Sequence, residues 1–303
     1  MAGRNFIQSY LYGNPNKQDY TEANLPENRF QLFWQVLNNR KGKMIGLNLL
    51  YLLFWLPSIA WTLLNMLQID QAVAAVPEDS GAVFLQIVYT WLVVLFPLIA
   101  LTGPFNVGMS YVFHRWAQDD HCDPYSDFWS SVKDNWKQGM LFGIVDGFLP
   151  LVIFLAGRYY MNMAAESSVY LVLLILLLLV MLLWLLAAPL MPQLIASYKL
   201  RFMGHMQNAL LMTMASLPRS IAVRLATCAI PILILLGVFF LPSFANWLLP
   251  IGILLYSVFM LSFNKLIWAS YANALGEKYL NVHIQGARTD IGLRPKRENE
   301  SSH

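Results

Sequence analysis

Six long apolar stretches, at 44–66, 83–102, 140–160, 169–196, 221–241 and 244–264, dominate the hydrophobic pattern of this 303-residue chain. At about 1.5 Å rise per residue, each can cross a hydrocarbon core of about 30 Å as a helix. The pattern predicts an all-α polytopic membrane protein with six transmembrane helices, arranged as three consecutive hairpins and joined by short amphipathic helices. A cytoplasmic N-terminal arm (1–43), a six-helix membrane domain (44–271) and a cytoplasmic tail (272–303) make up the expected domain layout.

Between the spans the polar positions are not random. Phe128, Val132 and Trp136 recur at four-residue steps while Asp127, Lys133, Asp134 and Lys137 take other faces. Asp123 followed by Pro124 suits an N-cap and first helical residue. Similar stripes run through Phe30, Phe33, Trp34 and Leu37, and through Met206, Leu210, Met214 and Leu217. Such faces are expected to lie on the membrane, against the protein's own helix ends or against a partner. Beyond Ile291 the chain is polar and expected to be disordered.

Charge then orients the spans. Nineteen of the twenty Lys and Arg residues fall in 1–43, 103–139, 197–224 and 265–303. The opposite connections (67–82, 157–168 and 242–243) hold only Arg158, against Asp70, Glu78, Asp79 and Glu166. The positive-inside rule therefore predicts a multi-pass protein of the plasma membrane with both termini in the cytoplasm. A hydrophobic content of 57%, only 12% charged residues and a mean hydropathy of +0.50 agree with a bilayer setting, and the net charge of +3 gives no reason to expect nucleic acid. The start and end of the chain show no cleavable signal or lipidation motif, so spans alone are expected to anchor it. Cys122 and Cys228 lie at different expected depths, which disfavours a disulfide.

Candidate chemistry is sparse. Asp146 lies about six residues into the third span and Lys265 near the cytoplasmic end of the sixth. An ionisable residue at membrane depth costs roughly 2.5 to 3.5 kcal/mol on insertion scales and usually faces protein, water or an opposite charge, so these two form a candidate membrane-depth charge pair. The cluster Asp119, Asp120, His121, Cys122 and Asp123, with His114 nearby, has ligand atoms without a metal-site spacing. No metal, cofactor or catalytic residue is expected; phosphate-loop and nucleophile-elbow motifs are missing, and so the chain reads as non-enzymatic. Every span holds a proline (Pro57, Pro97, Pro150, Pro189 with Pro192, Pro231, Pro250), as do the kinked helices that line solute sites. Ser-Tyr pairs at 110–111, 197–198 and 270–271 suggest a threefold repeat of the hairpin.

A family resemblance rests on four segments: Thr-Gly-Pro-Phe-Asn-Val-Gly-Met-Ser-Tyr-Val-Phe-His-Arg-Trp at 102–116, Asp-Phe-Trp-Ser-Ser-Val-Lys-Asp-Asn-Trp-Lys-Gln-Gly at 127–139, Gly-Asn-Pro-Asn-Lys at 13–17 and Lys-Met-Ile-Gly-Leu-Asn-Leu-Leu-Tyr-Leu-Leu-Phe at 43–54. They resemble the YesL-like bacterial membrane proteins, a domain of unknown function whose members tend to be encoded beside carbohydrate importers and glycan-degrading enzymes. The resemblance implies an accessory component of carbohydrate uptake, with a membrane transport complex as partner and the face carrying Phe128, Trp129, Val132 and Trp136 as the expected contact. A small-molecule transporter is the alternative.

Overall fold

A computed structural model describes residues 25–75, 77–287 and 290–294. The segment 13–17 and the tail beyond Arg294 lie outside these residues. Every regular element among them is helical: α1 (Arg29–Ala75), α2 (Ser80–Trp116), α3 (Pro124–Met163), α4 (Val169–Ala187), α5 (Leu190–Ser197), α6 (Phe202–Ala215), α7 (Leu217–Phe240), α8 (Ala245–Leu255), a π-helical segment (Tyr256–Met260) and α9 (Leu261–Tyr279). Six helical stretches are long and apolar enough to span a bilayer: α1, α2, α3, α4, α7, and Pro242–His283, which contains α8 and α9.

Three of the spans are much longer than a membrane requires. α1 runs for 47 residues, or about 70 Å. It crosses position 43 without interruption, so the arm helix and the first span are one rod. Likewise α3, with 40 residues, joins the aromatic helix expected outside the membrane to the third span. Its start is fixed as the sequence suggests. The Asp123 carboxylate accepts from the Tyr125 and Ser126 amides at 3.2 and 2.8 Å, while the Asp123 amide donates to Asp127 Oδ2 at 3.0 Å. Orphan N–H groups of the first turn are thereby paired.

The extensions pack together at the end of the bundle that carries the Lys and Arg residues, here called the basic end. One buried cluster there joins Leu32, Val36, Phe113, Trp116, Cys122 and Phe128; a second joins Trp184, Leu190, Met191, Leu194, Ala209 and Trp268. Polar contacts stitch the same layer. Arg40 pairs with Asp119 at 3.2 Å and lies over the Trp116 ring, Arg115 pairs with Asp120 at 3.0 Å, and Arg29 pairs with Glu277. Asp119, Asp120 and Asp123 thus have structural partners, and among the described residues no group of His, Cys, Asp and Glu is arranged to hold a metal.

Within the membrane the closest packing lies between α2 and α3. Gly139, Gly143 and Gly147 recur every fourth residue on α3 and so share one face. A Cβ at Gly143 would meet the Ala100 carbonyl oxygen, one at Gly139 the Pro104 Cα, and one at Gly147 the Phe96 carbonyl oxygen. Without side chains in the way the two backbones touch, which is how helices gain dispersion energy in lipid. This joint connects the first and second hairpins of the sequence.

The spans are interrupted at two places. The fourth breaks at Ala188 and Pro189, between α4 and α5, where proline lacks the amide that would continue the ladder. In the sixth, α8 gives way to the π segment. The fully buried Asn48 of α1 satisfies this irregularity: its amide donates to the Tyr256 and Ser257 carbonyls at 3.0 and 2.7 Å, and its Oδ1 accepts from the Ser262 amide at 2.8 Å. Proline at 57, 97, 150, 231 and 250 sits inside continuous helices instead. The three Ser-Tyr pairs occupy unlike settings. Ser110 is buried against Lys265, Ser197 bonds the Gln193 carbonyl of its own helix, and Tyr271 bonds Ser220 on α7.

Candidate functional site

All six spans contribute to one cavity of about 350 Å³. Its wall takes Tyr51 and Trp55 from α1, Asn106 from α2, Phe142 and Asp146 from α3, Trp184 from α4, Arg224 and Thr227 from α7, and Tyr256 with Asn264, Lys265 and Trp268 from the sixth span. Both interruptions border it, through Ala188 and Pro189 and through Tyr256. Irregular backbone at membrane depth is tolerated where it lines a cavity, and binding sites of membrane transporters are built in this way.

The two membrane-depth charges singled out in the sequence share this cavity without a direct ion pair. Asp146 Oδ1 accepts from Trp184 Nε1 at 3.1 Å. Lys265 donates to Asn106 Oδ1 and, at 3.2 Å, to Ser110 Oγ. Both therefore hold positions set by neutral partners from a neighbouring helix, and each leaves hydrogen-bonding capacity for something in the cavity. Sequence reasoning missed the third charge. Arg224 reads as the last basic residue of a connection, but α7 begins at Leu217 and carries it inward, where its Nε is enclosed without an acceptor. The clue was its position inside the apolar stretch that begins at 221. Thr227 and Asn264 extend the same wall, with Asn264 donating to the Thr227 carbonyl at 3.3 Å.

The four expected contact residues of α3 divide. Phe128 is 0% and Val132 8% exposed, both inside the protein core, whereas Trp129 is 41% and Trp136 52% exposed. Trp129 sets its edge against Phe54, Phe105 and Phe128 at centroid distances of 5.2 to 6.1 Å. Four-residue steps advance a helix by about 40° beyond a full turn, so two steps rotate Trp136 off the face that Phe128 buries. A similar offset appears on α6, whose buried face is His205, Ala209, Met212 and Thr213, with Met214 exposed; Leu217, also exposed, already belongs to α7. In the arm part of α1, before Lys43, Leu32 and Val36 are buried while Phe30 and Trp34 are exposed.

A second cavity, of about 600 Å³, lies at the basic end between α3 and the segment 195–201. Asp127, Asp134, Lys199 and Arg201 line it, so its fixed charges balance. Gln138 Nε2 spans it to the Leu200 carbonyl at 3.0 Å. Burial raises the pKa of Tyr198 in its wall, and that of Cys122 elsewhere in the basic end to about 12, with the Asp127 carboxylate adding to the shift.

Fold and cavity together define a six-span, all-helical membrane protein with a largely apolar cavity between its spans that holds Asp146, Arg224 and Lys265. Residues 44–156 match the model of a family described as a protein of unknown function, DUF624. No curated protein and no solved structure matches the chain. The matched stretch contains α2 and most of α3 with the glycine joint, Asn48 and Asp146. Arg224 and Lys265 lie beyond it.

Proposed function

We propose that the protein is a non-enzymatic, multi-pass component of the cell membrane that binds a small polar solute in the six-helix cavity and takes part in its uptake. The observation that carries this reading is the convergence of all six spans, with both of their interruptions, on one cavity whose largely apolar wall holds Asp146, Arg224 and Lys265. Its size falls within the range of small-molecule sites. Six aromatic residues (Tyr51, Trp55, Phe142, Trp184, Tyr256 and Trp268) beside amide, ammonium and carboxylate groups suit a molecule with both apolar faces and hydroxyls. Carbohydrates, the class implied by the YesL-like resemblance, have that chemistry. The test is uptake of labelled sugars and sugar acids into vesicles containing only the purified protein. Saturable uptake, lost on narrowing the cavity with Thr227→Trp, is the expected result; vesicles that take up no more than empty ones would remove the transport reading.

A second reading, an accessory subunit of a carbohydrate import complex, draws on the exposure of Trp129 and Trp136 on α3. It expects a transport component to co-purify from the native membrane and to be lost with Trp129→Ser and Trp136→Ser while the protein stays folded. Both readings place the basic end in the cytoplasm. Impermeant thiol reagents should then label cysteines introduced at Asp79 and Glu166 in intact cells but spare one at Ser126. Native Cys122 is buried and cannot serve as that reporter.

A further inference from the structure

The charges in the six-helix cavity do not cancel. Asp146, Arg224 and Lys265 are its only Asp, Glu, Lys or Arg residues among the described lining, which leaves one positive charge in excess. None of the three takes part in an ion pair among the described residues, although Asp146 lies within Coulombic reach of both cations. Hydrogen-bond supply is lopsided in the same direction. Arg224 brings five N–H donors, one of them enclosed without an acceptor, and the Lys265 ammonium meets only the neutral oxygens of Asn106 and Ser110. The Asp146 carboxylate already has one oxygen engaged by Trp184. An uncompensated cation at membrane depth is costly, and a guanidinium is matched best by a carboxylate or phosphate. The balanced cavity at the basic end, with two carboxylates and two cations, makes no such demand.

We propose that the ligand of the six-helix cavity is a small organic anion, its carboxylate or phosphate held between Arg224 and Lys265. The free oxygen of Asp146 accepts from a hydroxyl or ammonium group on the same molecule. This assignment rests on the solute-binding reading above and narrows it to acidic solutes. A phospholipid headgroup entering from the bilayer presents the same chemistry as a soluble phosphate, so the experiment must separate the two.

Purified protein in a neutral detergent is titrated with glucose, glucuronate and glucose 6-phosphate, and in parallel with phosphatidylglycerol and phosphatidylcholine, binding being read by thermal stabilisation. Acidic compounds should bind about tenfold or more tightly than their neutral counterparts, and Arg224→Gln should reduce that preference by a similar factor, with Arg224→Lys restoring part of it. A response confined to phosphatidylglycerol and sensitive to Arg224→Gln identifies the lipid as the source; the anion site then stands and the uptake reading falls. Neutral and acidic sugars bound alike, with no effect of Arg224→Gln, would sink the anion assignment and leave uptake intact.

A second measurement needs no ligand. Cys228 lines the cavity. Its rates with an anionic and a cationic methanethiosulfonate are compared after normalisation to a free thiol, which cancels any shift in thiolate fraction. A positive cavity favours the anionic reagent, and Arg224→Gln lowers the ratio. Equal normalised rates, or reaction with neither reagent, would overturn the proposal.

Discussion

Both α2–α3 and α7 border the six-helix cavity, and the α2–α3 pair and the α7–α8 pair are built on opposite plans. α2 buries twelve of its residues and meets α3 backbone to backbone through Gly103, Gly139, Gly143 and Gly147. α7 buries only Ser220 and Thr227, and α8 only Gly252. At the glycines of the second pair a Cβ would meet side-chain ends, Leu248 Cδ1 at Gly237 and Ile234 Cδ1 at Gly252. One wall is thus a rigid joint with no side chain free to give way, and the other rests on adaptable apolar contacts. Arg224 stands on the adaptable wall, Asp146 on the rigid one. On the anion-binding proposal, a ligand engaging both would bridge a rigid wall and an adaptable one.

Substitution at the rigid joint should show the contrast most strongly. Gly143→Val must push α2 away from α3 and is expected to cost about 3 kcal/mol or more, seen as loss of monodisperse protein or a large drop in melting temperature. Gly252→Ala, which displaces one methyl of Ile234, should cost less than about 1 kcal/mol. Equal losses at the two sites would erase the distinction.

The next effect is at Asn48. Asn48→Leu leaves two carbonyls and one amide of the sixth span without partners and should destabilise by about 2 kcal/mol, measured by denaturant unfolding in micelles. No loss would mean that the π segment relaxes to an α-helix on its own.

Smaller still is the coupling between the walls' charges. Asp146→Asn and Lys265→Met should each reduce stability, and the double variant should lose less than their sum by about 0.5 kcal/mol or more. Strict additivity would assign each charge to its local partners alone, Trp184 for the one and Asn106 with Ser110 for the other.

The smallest concerns the packed basic end. Burial holds the Cys122 thiol protonated up to about 12, so at pH 8 it should resist alkylation until the protein is unfolded. The sign for stability follows. An unfolded thiol ionises near pH 9.0 and the folded one near 12, so its contribution is whole below pH 9.0 and is lost as the pH rises through that window. Rapid alkylation of folded protein at pH 8 would show that this end opens readily.

The sequence made the spans legible because lipid imposes length and apolarity on each one separately. It hid where helices continue. Asn38, Asn39, Arg40, Lys41 and Lys43 look like a boundary to hydropathy, yet nothing in them stops a helix, and α1 runs through. The π segment Tyr-Ser-Val-Phe-Met carries no local mark because its partner, Asn48, is 208 residues away. Asp146 and Lys265 were visible as isolated charges, since any charge in an apolar run stands out. Their common cavity was not visible, because it depends on how six helices are arranged, and Arg224 merged with the basic residues beside it. On the expected contact stripe of α3, Phe128 and Val132 are turned inward by the same periodicity that turns Trp136 out, a division that the residue types alone do not reveal.

The Asn48 contacts also set an order of events during synthesis. Asn48 enters the membrane with the first span, but the carbonyls it serves lie 208 and 209 residues later. At about 5 to 20 residues per second the ribosome takes roughly 10 to 40 s to make that stretch. For all that time the nascent chain carries an amide in lipid with no native partner, and the ring of helices stays open. Closure waits for the last span. A chain truncated before residue 256 therefore lacks every partner that the Asn48 side chain has in the sixth span.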